Sequence, residues 1–362
     1  MATADATFRY KERFGEGMAR TYFRRVGDRA VSSVGLGTYL GDPTDDVDDA
    51  YYETVRAAVE SGCNVVDTAI NYRNQRSERV VGRALADADV DRDAVFLSTK
   101  GGFVPFDGER PENPGEYVRS EYVDAGIVDP EDLAHGSHAV ASGYVEDQLD
   151  RSLRNLDVDT IDLYYVHNPE TQLDERPASE LYDQLEATFE RLERRAAAGD
   201  INHYGVATWD AFRVPRDHER YLDLGELISR ARAAAKEVGN TATHLRAVQL
   251  PFNVYMADAF TCESQSGPEG DQSVLWFAHE AGLNVFTSAS LAQGEVLRGI
   301  PNAVDAELSG ETAAQRGLNF ARSAPGVTSA LAGTTSPAHV RENVAAGSFE
   351  PLGADAFDAV FE

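Results

Sequence analysis

Lysine is nearly missing from this chain: Lys11, Lys100 and Lys236 are the only three among thirty-three basic residues, the rest being arginine. Cysteine is equally scarce. Cys63 and Cys262, with no CxxC spacing, exclude a disulfide framework and read as small packed residues in a reducing compartment. No stretch of eighteen apolar residues occurs, and the opening "MATADATFRYKERF" has no apolar signal core, so the expectation is a soluble, cytoplasmic protein with no membrane partner. Positive charge is outweighed, sixty-one acidic residues giving a formal net charge of -28. Such a field repels DNA, RNA and anionic lipid, so nucleic acid is not expected as a partner. High acidity with so little lysine reads as halophilic adaptation, in which a carboxylate-rich surface stays hydrated and counterions screen its self-repulsion.

What is present is a repeating alternation. Eight short apolar runs, "SSVGLGT", "NVVDTA", "AVFLSTK", "TIDLYYVH", "INHYGVAT", "LRAVQL", "LNVFTSA" and "VTSALAG", are each followed by a helical pattern. That number closes a parallel barrel, and no GxGxxG follows the first run as an open dinucleotide-binding sheet would require. The expected fold class is α/β, a (β/α)8 TIM-type barrel forming one domain over residues 1–362, with residues 1–30 capping its floor and residues 31–350 forming the barrel. "DDVDDAYYETVRAAVESG" begins acidic and is expected to stop at Gly62; "ELYDQLEATFERLERRAAAGD" is expected to end on Gly199 as its C-cap. Residues 101–142 and about 252–270 are far longer than ordinary connections, and both fall on the C-terminal face where barrels do chemistry.

Buried parallel strands exclude ionisable groups from their interiors, yet three successive runs finish on Asp67, Lys100 and His167. Neighbouring strands lie about 4.8 Å apart, so these side chains can converge, with Tyr72 on the adjoining loop. The chemistry follows from the residue types. A free phenol, with a pKa of about 10, is a reluctant acid; a nearby ammonium lowers it, an aspartate keeps that ammonium charged, and an imidazole positions a carbonyl. Together they amount to a tuned general acid.

The segments "DTAINYRNQRSERVVGRAL", "STKGG" and "IDLYYVHNPE" resemble the aldo-keto reductase family, and the resemblance runs from "VSSVGLGTYLG" to "VRENVAA". It implies a barrel that reversibly reduces an aldehyde or ketone to an alcohol with NADP, or with NAD as the alternative, and without metal. It carries the catalytic roles over to Asp67, Tyr72, Lys100 and His167. For the cofactor it implies Thr38, Asp67, Thr208, Gln249, Ser288, Leu291, Gly333, Thr334, His339, Glu342 and Asn343. Three of these depart from the family pattern. "GVAT" replaces Gly-Val-Ser-Asn at Ala207 and Thr208, Ser288 stands where an aromatic ring stacks on the nicotinamide, and His339 stands where an arginine grips the 2′-phosphate, with Arg341 nearby. The family also includes barrels that bind nicotinamide and modulate a partner, so a regulatory subunit with little turnover is the alternative function.

Tyr39, Phe103 and Trp209 are the expected substrate-pocket aromatics. "HGSH", His135 to His138, lacks a third ligand for a metal and reads as a solvated or substrate-facing loop. The substrate is expected to be a small carbonyl or alcohol, and oligomeric state has no signature in the chain.

Overall fold

The computed structural model describes residues 1–268 and 270–361. Eight parallel strands close into a barrel: β1 Val34–Gly37, β2 Val65–Asp67, β3 Phe96–Gly101, β4 Ile161–His167, β5 Ile201–Ala207, β6 Leu245–Pro251, β7 Asn284–Ser288 and β8 Val327–Gly333. β8 returns to β1, with Gly333 opposite Gly37. The strands are buried on both faces, which is why their sequences read as continuous apolar runs rather than alternating ones.

A helix follows each strand: α1 Asp45–Val59, α2 Arg76–Asp87, α3 Ser142–Leu156, α4 Ala178–Ala198, α5 Leu224–Glu237, α6 Val274–Glu280, α7 Ala313–Ser323 and α8 Pro337–Ala345. Gly199 ends α4 in a left-handed conformation, φ 91°. α1 stops at Val59, before Gly62, because Ser61 Oγ donates to Ala57 O at 2.6 Å and the Cys63 N–H donates to Ala58 O at 3.1 Å.

The floor is built by the N-terminal helix Ala4–Phe14 and a hairpin pairing Phe23–Val26 with Arg29–Ser32. Gly27 takes φ 58° in its two-residue turn. The Ala2 N–H donates to Asp162 Oδ1 at 2.5 Å, and Asn64 Nδ2 donates to Ala30 O at 2.9 Å, fastening this layer to the lower ends of β4 and β2. Val26 and Val31 join Val65, Phe96, Leu163 and Phe286 in the barrel's inner core.

Residues 101–142 fold on themselves around buried Val104, Val118, Tyr122, Ala139 and Tyr144. The ends of this segment are stitched together, Val104 N–H to Ser137 O at 2.8 Å and Ala139 N–H to Gly102 O at 2.9 Å. The connection after β6 holds a short helix, Asp258–Thr261, and a small antiparallel pair, Gln265–Gly267 with Gly270–Gln272. Among the described residues no helix is long and apolar enough to cross a membrane.

Candidate active site

A cavity of about 710 Å³ opens at the C-terminal ends of the strands. Asp67 ends β2, Lys100 lies near the end of β3, His167 ends β4, and Tyr72 sits on the turn after β2. Lys100 is fully buried, with Nζ 2.5 Å from Asp67 Oδ2 and donating to Thr68 O at 2.8 Å. The same ammonium is 5.0 Å from the centre of the Tyr72 ring, and the His167 ring is 6.1 Å from that ring. Asp67 Oδ1 accepts from Ser98 Oγ at 2.7 Å and from Gln249 Nε2 at 3.0 Å.

The turn that presents Tyr72 is unusual. Arg73, Asn74 and Gln75 all have positive φ, 49°, 56° and 69°, although none is glycine. Such residues are strained and persist only where their surroundings hold them. Arg73 supplies much of the hold, donating to Asp42 O at 3.0 Å and Thr44 O at 3.1 Å and pairing with Asp48, while Gln75 Nε2 donates to Phe106 O at 3.0 Å.

Burial governs how these groups titrate. It opposes the Lys100 charge, but Asp67 and then Tyr72 outweigh it and hold the ammonium above its ordinary range. Burial pushes the Tyr72 phenol up, and Lys100 pulls it down less than burial raises it. The net direction is therefore upward, contrary to the lowering expected from lysine proximity alone. Burial, then Lys100, then His138 hold His167 well below the usual histidine range, so its imidazole is neutral near pH 7.

Of the remaining sequence candidates, Thr38, Gln249, Ser288, Leu291, Gly333, Thr334 and His339 line the cavity, as do Tyr39, Phe103 and Trp209. Thr208 is buried off the wall, its N–H donating to Gln249 O at 2.9 Å and its Oγ1 lacking a partner. Glu342 and Asn343 lie on α8 away from the wall, and Arg341 is exposed, donating to Pro337 O at 3.4 Å. Reasoning from the sequence missed Asn71, Asn168, Ser290, Gln293 and Leu297, which line the cavity from the segments just beyond the strands. Position after a strand end was the available signal. Tyr39, Leu40, Trp209 and Leu297 are all exposed and form an apolar collar around the opening.

His135 is a surface residue, with Nε2 2.8 Å from Asp174 Oδ2, whereas His138 is fully buried. Among the described residues no group of three or more His, Cys, Asp and Glu is placed to hold a metal ion.

The family model for the aldo/keto reductase family matches residues 33–220. Aldo-keto reductase YhdN of Bacillus subtilis is 28% identical over 199 residues, covering 53% of this chain and 50% of that protein. Aldo-keto reductase AMT2 of Alternaria alternata is 32% identical over 160 residues, 41% of this chain and 42% of the relative. The chain thus spans about half the length of the curated relatives it matches. In structure it is similar to an aldo/keto reductase from Klebsiella pneumoniae, solved with NADP and acetate, at 22% identity, 94% coverage of both chains and a TM-score of 0.61. It is also similar to a glycerol dehydrogenase from Gluconobacter oxydans, at 20% identity, 95% coverage of both and a TM-score of 0.65. With the matched segment spanning more than half of its length, the chain belongs to the aldo/keto reductase family.

Proposed function

We propose that this protein is an oxidoreductase that reversibly reduces a small aldehyde or ketone with NADPH, using Tyr72 as the general acid. The observation that carries the reading is the Lys100 ammonium, 2.5 Å from Asp67 and 5.0 Å from the Tyr72 ring centre on the cavity wall.

The residues present fit a nicotinamide dinucleotide. Facing glycines, Gly37 and Gly333, leave the wall open between β1 and β8; a Cβ on Gly333 would meet Leu40 at 3.3 Å. Beyond them α8 points its N-terminus toward the same wall through Thr334 and His339, an arrangement suited to phosphate. Gln249, on the cavity wall and backed by the Thr208 N–H donating to its backbone oxygen at 2.9 Å, is the amide that suits a carboxamide. His339 rather than Arg341 faces the wall, so a 2′-phosphate would lack a bidentate grip, and NAD is the second cofactor to try. When bound, the nicotinamide supplies the hydride.

The chain's own groups handle the proton. With its pKa above the ordinary phenol value, Tyr72 stays protonated at neutral pH and offers its O–H to the substrate oxygen. As charge develops there, the phenol releases its proton, and the adjacent ammonium, held cationic by Asp67, stabilises the phenolate left behind. Neutral His167 orients the carbonyl oxygen through its single N–H. The acidic shell supports a salt-rich cytoplasm as the setting, and we read residues 1–362 as one barrel domain with its floor layer.

The test is Tyr72→Phe, assayed by NADPH oxidation against a panel of neutral aldehydes in high salt. Turnover is expected to fall by about 10²–10⁴-fold with NADPH affinity unchanged. Full turnover in the variant refutes the role of Tyr72. Tight NADPH binding by the wild type with no turnover on any carbonyl supports the regulatory subunit instead.

A further inference from the structure

We infer that His138 is a positioning residue for His167, and that through it the long segment 101–142 is coupled to the chemistry. The inference rests on the carbonyl-reductase reading. His138 is fully buried, with Nε2 2.7 Å from the backbone oxygen of His167. A carbonyl only accepts, so Nε2 carries the hydrogen and Nδ1 is an acceptor, which Gln172 Nε2 meets at 2.9 Å. The same amide donates to His138 O at 2.8 Å, so one residue holds both the ring and the backbone of His138.

Packing points the same way. The His138 ring lies 4.7 Å from Phe103 in an edge-to-face arrangement, and Phe103 lies 5.2 Å from the His167 ring in another. Gly102 makes room for this contact, since a Cβ there would sit 2.6 Å from His167 O and 3.1 Å from His138 Nε2. On the far side the Asn168 N–H donates to Ala207 O at 2.6 Å, so the peptide after His167 is held from both directions. Because Phe103 and His138 form the bridge that closes segment 101–142, any displacement of that segment is delivered to the His167 backbone. A misplacement of about 1 Å at a catalytic group can cost on the order of 100-fold in rate.

His138→Phe keeps the aromatic packing and removes the donor; His138→Gln restores a donor at the same reach. With NADPH and a neutral aldehyde, His138→Phe is expected to lose about 10–100-fold in kcat with NADPH Kd unchanged, and His138→Gln to recover most of that loss. A lower thermal midpoint with kcat per folded enzyme unchanged, or a glutamine variant no better than phenylalanine, overturns the inference. Should His138→Phe not fold, Gln172→Met removes the amide that holds the His138 ring and backbone in place and is expected to cause a smaller loss in the same direction; wild-type kcat in that variant overturns it too. The His167 imidazole nitrogen resonances report position without turnover. If they stay unchanged in His138→Phe the inference fails even in an inactive protein, whereas absent wild-type turnover with shifted resonances counts against the reductase reading alone.

Discussion

Replacing Lys100 by Met separates what the buried ammonium does for the fold from what it does for the reaction. At 2.5 Å the Lys100–Asp67 attraction is about 7 kcal/mol at an effective dielectric of about 20, and desolvation of two buried charges offsets much of it. The variant retains the aliphatic stem but leaves the Asp67 carboxylate with only Ser98 and Gln249 as donors, and an unpaired buried charge costs about 3–5 kcal/mol. Urea unfolding at fixed high salt should show that loss at pH 8. Adding Asp67→Asn removes the stranded charge and should restore most of the stability. Turnover should remain about 10²–10⁴-fold down in both variants, since neither can stabilise a phenolate at Tyr72. A Lys100→Met enzyme within threefold of wild-type kcat, or a double variant that regains turnover, would mean that the ammonium has no part in proton transfer from Tyr72.

Glu170 gives a pH-dependent counterpart. Burial lifts its carboxyl to about 7, even though Oε1 accepts from the Trp209 N–H at 2.6 Å and the Asp210 N–H at 3.1 Å. The folded value exceeds the unfolded one, so its contribution is fully present below about pH 4.5 and is lost as pH rises through 7, by at most about 3 kcal/mol. Glu170→Gln should flatten the slope of urea stability between pH 5 and 8, and parallel slopes would disprove the assignment. Gly333→Val should raise the NADPH Kd about tenfold or more by filling the gap beside Leu40, with little change in thermal midpoint; an unaltered Kd removes the β1–β8 wall from the cofactor site.

The barrel was legible because its strands are buried on both faces and therefore write themselves as apolar runs with polar ends. The floor hairpin was not. "FRRV" and "RAVS" carry arginines, so their pairing across Gly27 and Asp28 has no apolar signature, and Ser32 belongs to the hairpin rather than to β1. Proximity of Asp67, Lys100, His167 and Tyr72 could be argued from strand adjacency, but the direction in which Tyr72 titrates depends on burial depth, which spacing does not encode. The Gln249–Asp67 hydrogen bond spans 182 residues and crosses the barrel between strands that do not pair, so no local pattern announces it. Segment 101–142 was opaque for a related reason: its order comes from Gln148 and Gln172 holding its ends, partners that lie on α3 and beyond β4.

The apolar collar of Tyr39, Leu40, Trp209 and Leu297 sits in a shell dense with carboxylates, and dissolved ions act on the two in different ways. Counterions quiet the mutual repulsion of the shell, while excluded salts strengthen the grip of exposed hydrocarbon on uncharged carbon. Brine would thus steady the scaffold and draw greasy molecules to the doorway at the same time, so the medium itself acts as a selectivity filter.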